Sequence, residues 1–151
     1  MSSSRSAIAI IVALMIVSVG AALAPSGSAA PAAAIATAPS GLGRILVDGR
    51  GHTLYLFEKD RHGGSACAGL CVTYWPPLLT NGKSIASQGA KRSLLGKIRR
   101  ADGTHQVTYA GHPLYFFSGD AKSGQTNGEG LTDFGAGWYA VSPVGKKIDR
   151  D

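Results

Sequence analysis

Three sets of side chains in this sequence have the types and spacing to do chemistry. The first is Cys67 and Cys71, the only two cysteines, in a Cys-x3-Cys spacing. In an oxidising compartment such a pair normally closes into a disulfide, and so short a loop stabilises mainly by fixing local geometry. The rival chemistry is metal or redox work by the same two thiols. Redox catalysis ordinarily uses Cys-x-x-Cys, haem attachment needs Cys-x-x-Cys-His, and a zinc site wants a second Cys or His pair at short spacing. None of these is present, and only Asp60 and His62 lie nearby.

The second set is a Tyr-x-Phe-x-x-Asp motif that occurs twice, as Tyr55, Phe57, Asp60 and as Tyr115, Phe117, Asp120. Each copy sits in a longer repeat, "GHTLYLFEKD" (51–60) and "GHPLYFFSGD" (111–120), sixty residues apart. Tyr and Phe two residues apart share one face of a strand, and the Asp falls where that strand ends. One reading is a core stripe whose Asp accepts N–H bonds from the following turn and partners a buried Tyr hydroxyl. The other is a symmetric cleft in which two Tyr and two Asp converge on a ligand or cation. The third set is His52 and His112, at equivalent positions beside turns. They are either solvent-exposed or, if a pseudo-two-fold axis joins them, able to bind a transition metal or titrate near neutral pH.

The sequence has no Gly-x-Ser-x-Gly elbow, no His-Glu-x-x-His and no Gly-rich phosphate loop. The stretch "DAKSGQTNGEG" (120–130) is rich in Gly and oxygen ligands, but Lys122 stands where a calcium loop needs an oxygen. No catalytic residue, cofactor or metal is therefore assigned, and the chain reads as a non-enzyme. The formal net charge is +6, and part of the excess is local: "KRSLLGKIRR" (91–100) holds Lys91, Arg92, Lys97, Arg99 and Arg100. Such a basic surface favours anionic envelope components; nothing points to specific nucleic-acid recognition. The plainer alternative is a solubilising face.

These residues are placed by a chain with distinct regions. Residues 1–29 have a charged start, an apolar run from Ala7 to Leu23 and a small-residue zone, the layout of a secretory signal peptide. This implies export to a periplasmic or extracellular space. The 17-residue run is also at the lower limit of a membrane span, so an uncleaved anchor is the alternative. No cysteine lies near its end to carry a lipid, both cysteines being far downstream. Residues 30–41, rich in Ala, Pro and Ser, read as a flexible tether, 42–145 as one small β-rich domain, and 146–151 as a charged tail.

Within the domain the repeats span about 43–79 and 96–143. "RILVD" (44–48), an Asp-Gly turn and "HTLYLFEK" (52–59) predict a hairpin. In the returning strand Thr53, Tyr55 and Phe57 share one face while Leu54 and Leu56 share the other, so both sides must be covered. Segments 96–101, 104–109 and 112–118 predict a three-stranded meander, with Pro113 at a strand start or an unpaired edge, and 137–143 a closing strand. Trp75 and Trp138 are counterparts. The expected fold is all-β and mainly antiparallel, a small sandwich or barrel of two repeated β-hairpin units, with at most a short helix near the Cys pair.

Further elements recur in order: Cys67-Ala-Gly69-Leu-Cys71, Trp75-Pro76-Pro77, Arg100-Ala-Asp102-Gly103 and Tyr109-Ala-Gly111-His-Pro113-Leu114-Tyr115. With the Tyr-x-Phe-x-x-Asp pair, they make residues 43–143 resemble a bacterial family of secreted repeats, described as predicted lipoproteins with a Tyr-x-(Phe/Trp/Tyr)-x-x-Asp motif and without an established function. The resemblance implies export and a repeated β architecture, and it implies no reaction. The leading functional expectation is an exported, non-enzymatic binding or envelope-associated module. The alternative is metal or redox handling by Cys67 and Cys71 with His52 and His112.

Overall fold

The computed structural model describes residues 32–61 and 63–150. The apolar run and the small-residue zone that suggest a signal peptide or an anchor lie outside, and among the described residues no helix is long and apolar enough to cross a membrane. The strands are β1 (Ala34–Ser40), β2 (Gly43–Asp48), β3 (Tyr55–Phe57), β4 (Ile85–Ala86), β5 (Leu95–Arg99), β6 (His105–Tyr109), β7 (His112–Pro113), β8 (Thr132–Asp133) and β9 (Ala136–Ala140). One short helix, α1 (Cys71–Tyr74), follows the cysteine loop, and a 3-10 turn, Arg92–Leu94, precedes β5. The chain is mostly β, as its sequence predicts, but the sheets do not close into a barrel. Among the described residues there are three of them, ordered β2-β1-β4, β3-β9-β8 and β5-β6-β7.

The Asp-Gly turn forms for a local reason. Asp48 Oδ1 accepts the N–H groups of Arg50 and His52, both at 2.9 Å, and Leu54 N–H continues the pairing to Leu46 O at 3.0 Å. The hairpin then ends, because β3 turns away from β2 to pair with β9 (Tyr55↔Ala140 to Phe57↔Trp138). The meander of β5, β6 and β7 forms, but its third strand, expected over 112–118, is only His112–Pro113, because beyond it the chain pairs by single bridges at Tyr115 with Tyr55 and Pro77. The connection between β6 and β7 runs through Ala110 and Gly111, both at positive φ, the two-residue geometry that matches strand twist.

β3 lies between two cores, as its two apolar faces require. Tyr55 and Phe57 pack into one cluster with Trp75, Tyr115 and Trp138. Leu54 and Leu56 flank the other with Val107, Tyr109 and Leu114. Both copies of the repeat contribute to both clusters.

The flexible tether is corrected over most of its length. Residues 34–40 form β1, paired antiparallel with β2 from Ile35↔Asp48 to Ser40↔Gly43 and parallel with β4. Ile35 is fully buried, and Ala36 and Thr37 are buried beside it. Small side chains suit a strand with neighbours on both sides, and the backbone pairing, which composition does not reveal, supplies the order. The tail is also tied down: Ile148 N–H bonds Ala140 O, and Lys147 pairs with Glu58 and Asp149. A chain shortened to begin at Leu42 should lose at least about 2 kcal/mol of stability from the burial of Ile35 alone, and urea unfolding of the two lengths measures it. Equal midpoints would mean that β1 is dispensable.

Candidate functional site

Besides the β3–β9 pairing, an isolated antiparallel bridge joins the two motif tyrosines. Tyr55 N–H bonds Tyr115 O at 2.9 Å, and Tyr115 N–H bonds Tyr55 O at 3.0 Å. From there each phenol reaches the carboxylate of the other copy. Tyr55 Oη donates to Asp120 Oδ2 at 2.6 Å, and Tyr115 Oη donates to Asp60 Oδ2 at 2.9 Å. The second oxygen of each carboxylate holds its own turn: Asp60 Oδ1 accepts Ala66 N–H at 2.7 Å and Asp120 Oδ1 accepts Asn127 N–H at 2.8 Å. Both halves of the core reading are thus present, but the phenol partner is exchanged between the copies.

Burial drives the electrostatics here. Both phenols are pushed above the usual tyrosine range, first by desolvation and then by the facing carboxylates, which disfavour a phenolate. Desolvation also raises the Asp60 carboxyl, opposed by the Ala66 N–H, the Tyr115 hydroxyl and the Arg100 charge.

The aromatic side chains follow the same exchange. Phe57 stacks on Trp138 with centroids 4.0 Å apart, Trp138 stacks on Trp75 at 4.0 Å, and Trp75 packs on Phe117 at 4.4 Å. The order alternates between copies along the stack. Tyr115 meets Trp138 edge-on, and Tyr55 meets Trp75 likewise. Gly128 lies against this stack, where an added Cβ would sit 2.8 Å from the Trp75 ring and 3.0 Å from Phe117. The six motif residues come together, with Tyr55 and Tyr115 fully buried. The rings fill the space that a symmetric cleft would have to leave open. Asp60 and Phe57 border a depression of about 500 Å³ with His112 and Lys147.

Arg100 needs a correction. Read from the sequence as part of a basic surface, its side chain is only 7% exposed. Nη1 donates to Ser65 Oγ at 2.8 Å and to Gln106 Oε1 at 2.6 Å, and Nη2 donates to the Cys67 carbonyl at 2.7 Å. Ser65 Oγ lies 2.6 Å from Tyr115 Oη. Since the single phenolic hydrogen goes to Asp60, the serine must donate to the tyrosine. A directed chain therefore runs from guanidinium through Ser65 and Tyr115 to the Asp60 carboxylate. Convergent acceptors draw Arg100 inward, whereas Lys91, Arg92, Lys97 and Arg99 remain exposed.

Cys67 and Cys71 form a disulfide, both buried in the aromatic core. His52 contributes its backbone to the Asp48 turn. Among the described residues no group of three or more His, Cys, Asp or Glu is placed to hold a metal. The exposed cations define a different feature, a groove of about 540 Å³ between β4 and β5 whose lining includes Lys83, Arg92 and Lys97 and no carboxylate. Lys83 escaped the sequence reading because it lies outside the basic run. Ser65, Gln106 and Gly128 escaped it because nothing local marks a residue whose partner is distant in sequence.

A disulfide-stapled β module of two interlocked copies is the class this geometry defines. The chain belongs to the family described as secreted repeats of unknown function, which matches residues 36–79 and 96–142. The first matched repeat begins within β1. No curated protein and no solved structure matches the chain at a significant level.

Two predictions follow from the exchanged phenols. In double-mutant cycles, Tyr55→Phe should couple with Asp120→Asn by roughly 0.5–3 kcal/mol and add independently with Asp60→Asn; the reverse pattern would contradict the exchange. An unfolded chain ionises tyrosine near pH 10, whereas the fold holds both phenols protonated. Their contribution is therefore complete below about pH 10 and is lost as pH rises beyond it. Unfolding free energy measured against pH should fall above that point, less steeply in the Tyr55→Phe, Tyr115→Phe variant.

Proposed function

We propose that this protein is an exported, non-enzymatic binding module that engages an anionic component of the cell envelope through the basic groove between β4 and β5. The observation that carries this reading is the lining itself: Lys83, Arg92 and Lys97 surround one groove with no carboxylate to neutralise them. Lys91 and Arg99 lie on the flanking segment, both exposed. Uncompensated cations in a concave surface raise the local concentration of an anionic ligand. The apolar edge of the same groove, Ile85 and Leu95, adds contact area for a ligand that is not purely ionic.

Membership in a family of secreted repeats supports the exported setting. The Tyr-x-Phe-x-x-Asp pair supports the reading indirectly, because its polar atoms are used inside the core and the accessible charge lies elsewhere. The disulfide uses both thiols, so the reading needs no metal or redox chemistry at Cys67 and Cys71.

The test is retention on an isolated anionic envelope fraction. Replacing Lys83, Arg92 and Lys97 by Gln should weaken binding roughly a hundredfold, at about 1 kcal/mol per cation near an anionic surface, and should flatten its dependence on salt. Unchanged retention with an unchanged melting temperature would overturn the assignment of the groove.

A further inference from the structure

The walls of the basic groove are the open edges of two sheets. β4 ends the sheet β2-β1-β4, and β5 ends the sheet β5-β6-β7. The pairing register fixes which backbone groups face the groove. Ala110 N–H bonds Leu94 O, and Arg100 N–H bonds Thr104 O. With Gly96 opposite Thr108 and Ile98 opposite Gln106, the alternation of an antiparallel ladder directs Gly96, Ile98 and Arg100 toward β6. Lys97 and Arg99 therefore carry their N–H and C=O groups on the outer edge. Across the groove, Ile85 and Ser87 give their N–H groups to β1, at Ala33 O and Ile35 O, which leaves Ser84 and Ala86 directed to the outer side of β4. Among the described residues no neighbouring strand lies on the outer side of either edge.

We infer that the occupant of this groove is an extended acidic segment of a partner polypeptide, added as a strand along the outer edge of β5. This rests on the reading of the groove as the binding site and names the chemical class of its ligand. Unpaired edge amides and carbonyls are a template for another strand, and strand addition takes its affinity from main-chain bonds and its selectivity from alternate side chains. Charge selects the partner. Lys83, Arg92 and Lys97 line the groove and Arg99 is exposed on the same strand, so a second copy would set cations against cations, whereas an acidic strand would neutralise them. The alternation of an incoming strand suits the mixed lining. One set of its side chains meets the cations, and the other meets Ile85, which is 52% exposed, and Leu95.

The experiment uses the folded, disulfide-bonded protein and three probes: a short peptide alternating Glu and Thr, the same peptide N-methylated at alternate residues, and vesicles containing an anionic phospholipid. The plain peptide should bind and slow amide exchange at Lys97 and Arg99. N-methylation, which keeps the charge and removes strand pairing, should weaken it at least about tenfold. Lys97→Pro, which removes an outward N–H at an edge where proline is tolerated, should weaken binding more than Lys97→Gln. Equal binding of the methylated peptide would overturn strand addition and leave a purely electrostatic site. Binding to vesicles but not to the peptide would overturn the polypeptide ligand while sparing the basic groove. Binding of neither would overturn both.

Discussion

A buried phenol must give its hydrogen to something, and leaving it without an acceptor costs about 1–3 kcal/mol. Of this protein's fully buried phenols, Tyr55 and Tyr115 each find their acceptor in the other half of the chain. That exchange makes the two repeats mutually dependent. Neither Tyr55 nor Tyr115 can be both buried and satisfied by its own motif as arranged here. The backbone bridge between the same two residues fixes the distance at which the exchange works. The carboxylates bind a turn with one oxygen and a foreign phenol with the other, so loop conformation and inter-repeat packing are set by the same atoms.

The aromatic stack depends on that geometry. Phe57, Trp138, Trp75 and Phe117 alternate between repeats, so the largest apolar surfaces are buried only when the copies are together. Such side chains dominate the energetics of a core, and in a small domain with short strands they supply much of what regular sheet pairing does not. The disulfide lies inside this cluster. The Cys67 carbonyl accepts from Arg100, linking the staple to the polar chain that ends at Asp60.

The polar atoms of the motif hold the halves together, and the exposed cations lie at the periphery. There short sheets leave unpaired edges, and lysine and arginine on such an edge disfavour its pairing with a second copy. The duplicated motif builds the scaffold, and Lys91, Arg92, Lys97 and Arg99 of the basic run lie exposed on it.

Much of this was legible in the residues. The repeated decapeptide gave the duplication, the alternation in Thr53–Phe57 gave a strand covered on both faces, and the Asp-Gly and Ala-Gly turns gave the hairpins, since turn chemistry and side-chain period act over a few residues. The strand at Ala34–Ser40 was not legible, because its order comes from partners on both sides rather than from its own small side chains. Arg100 read as surface because its composition matches its exposed neighbours, and only the convergence of Ser65, Gln106 and the Cys67 carbonyl takes it inside. The sequence by itself determined the duplication, a strand at Tyr55–Phe57 covered on both faces and the local turns. Only the tertiary structure decided that each Tyr would bond the other copy's Asp and that two sheet edges would face a groove lined by Lys83, Arg92 and Lys97. The Tyr–Asp bonds join residues of different copies, and the groove depends on β1 and β6 holding β4 and β5 in place, where no local rule of period or spacing reaches.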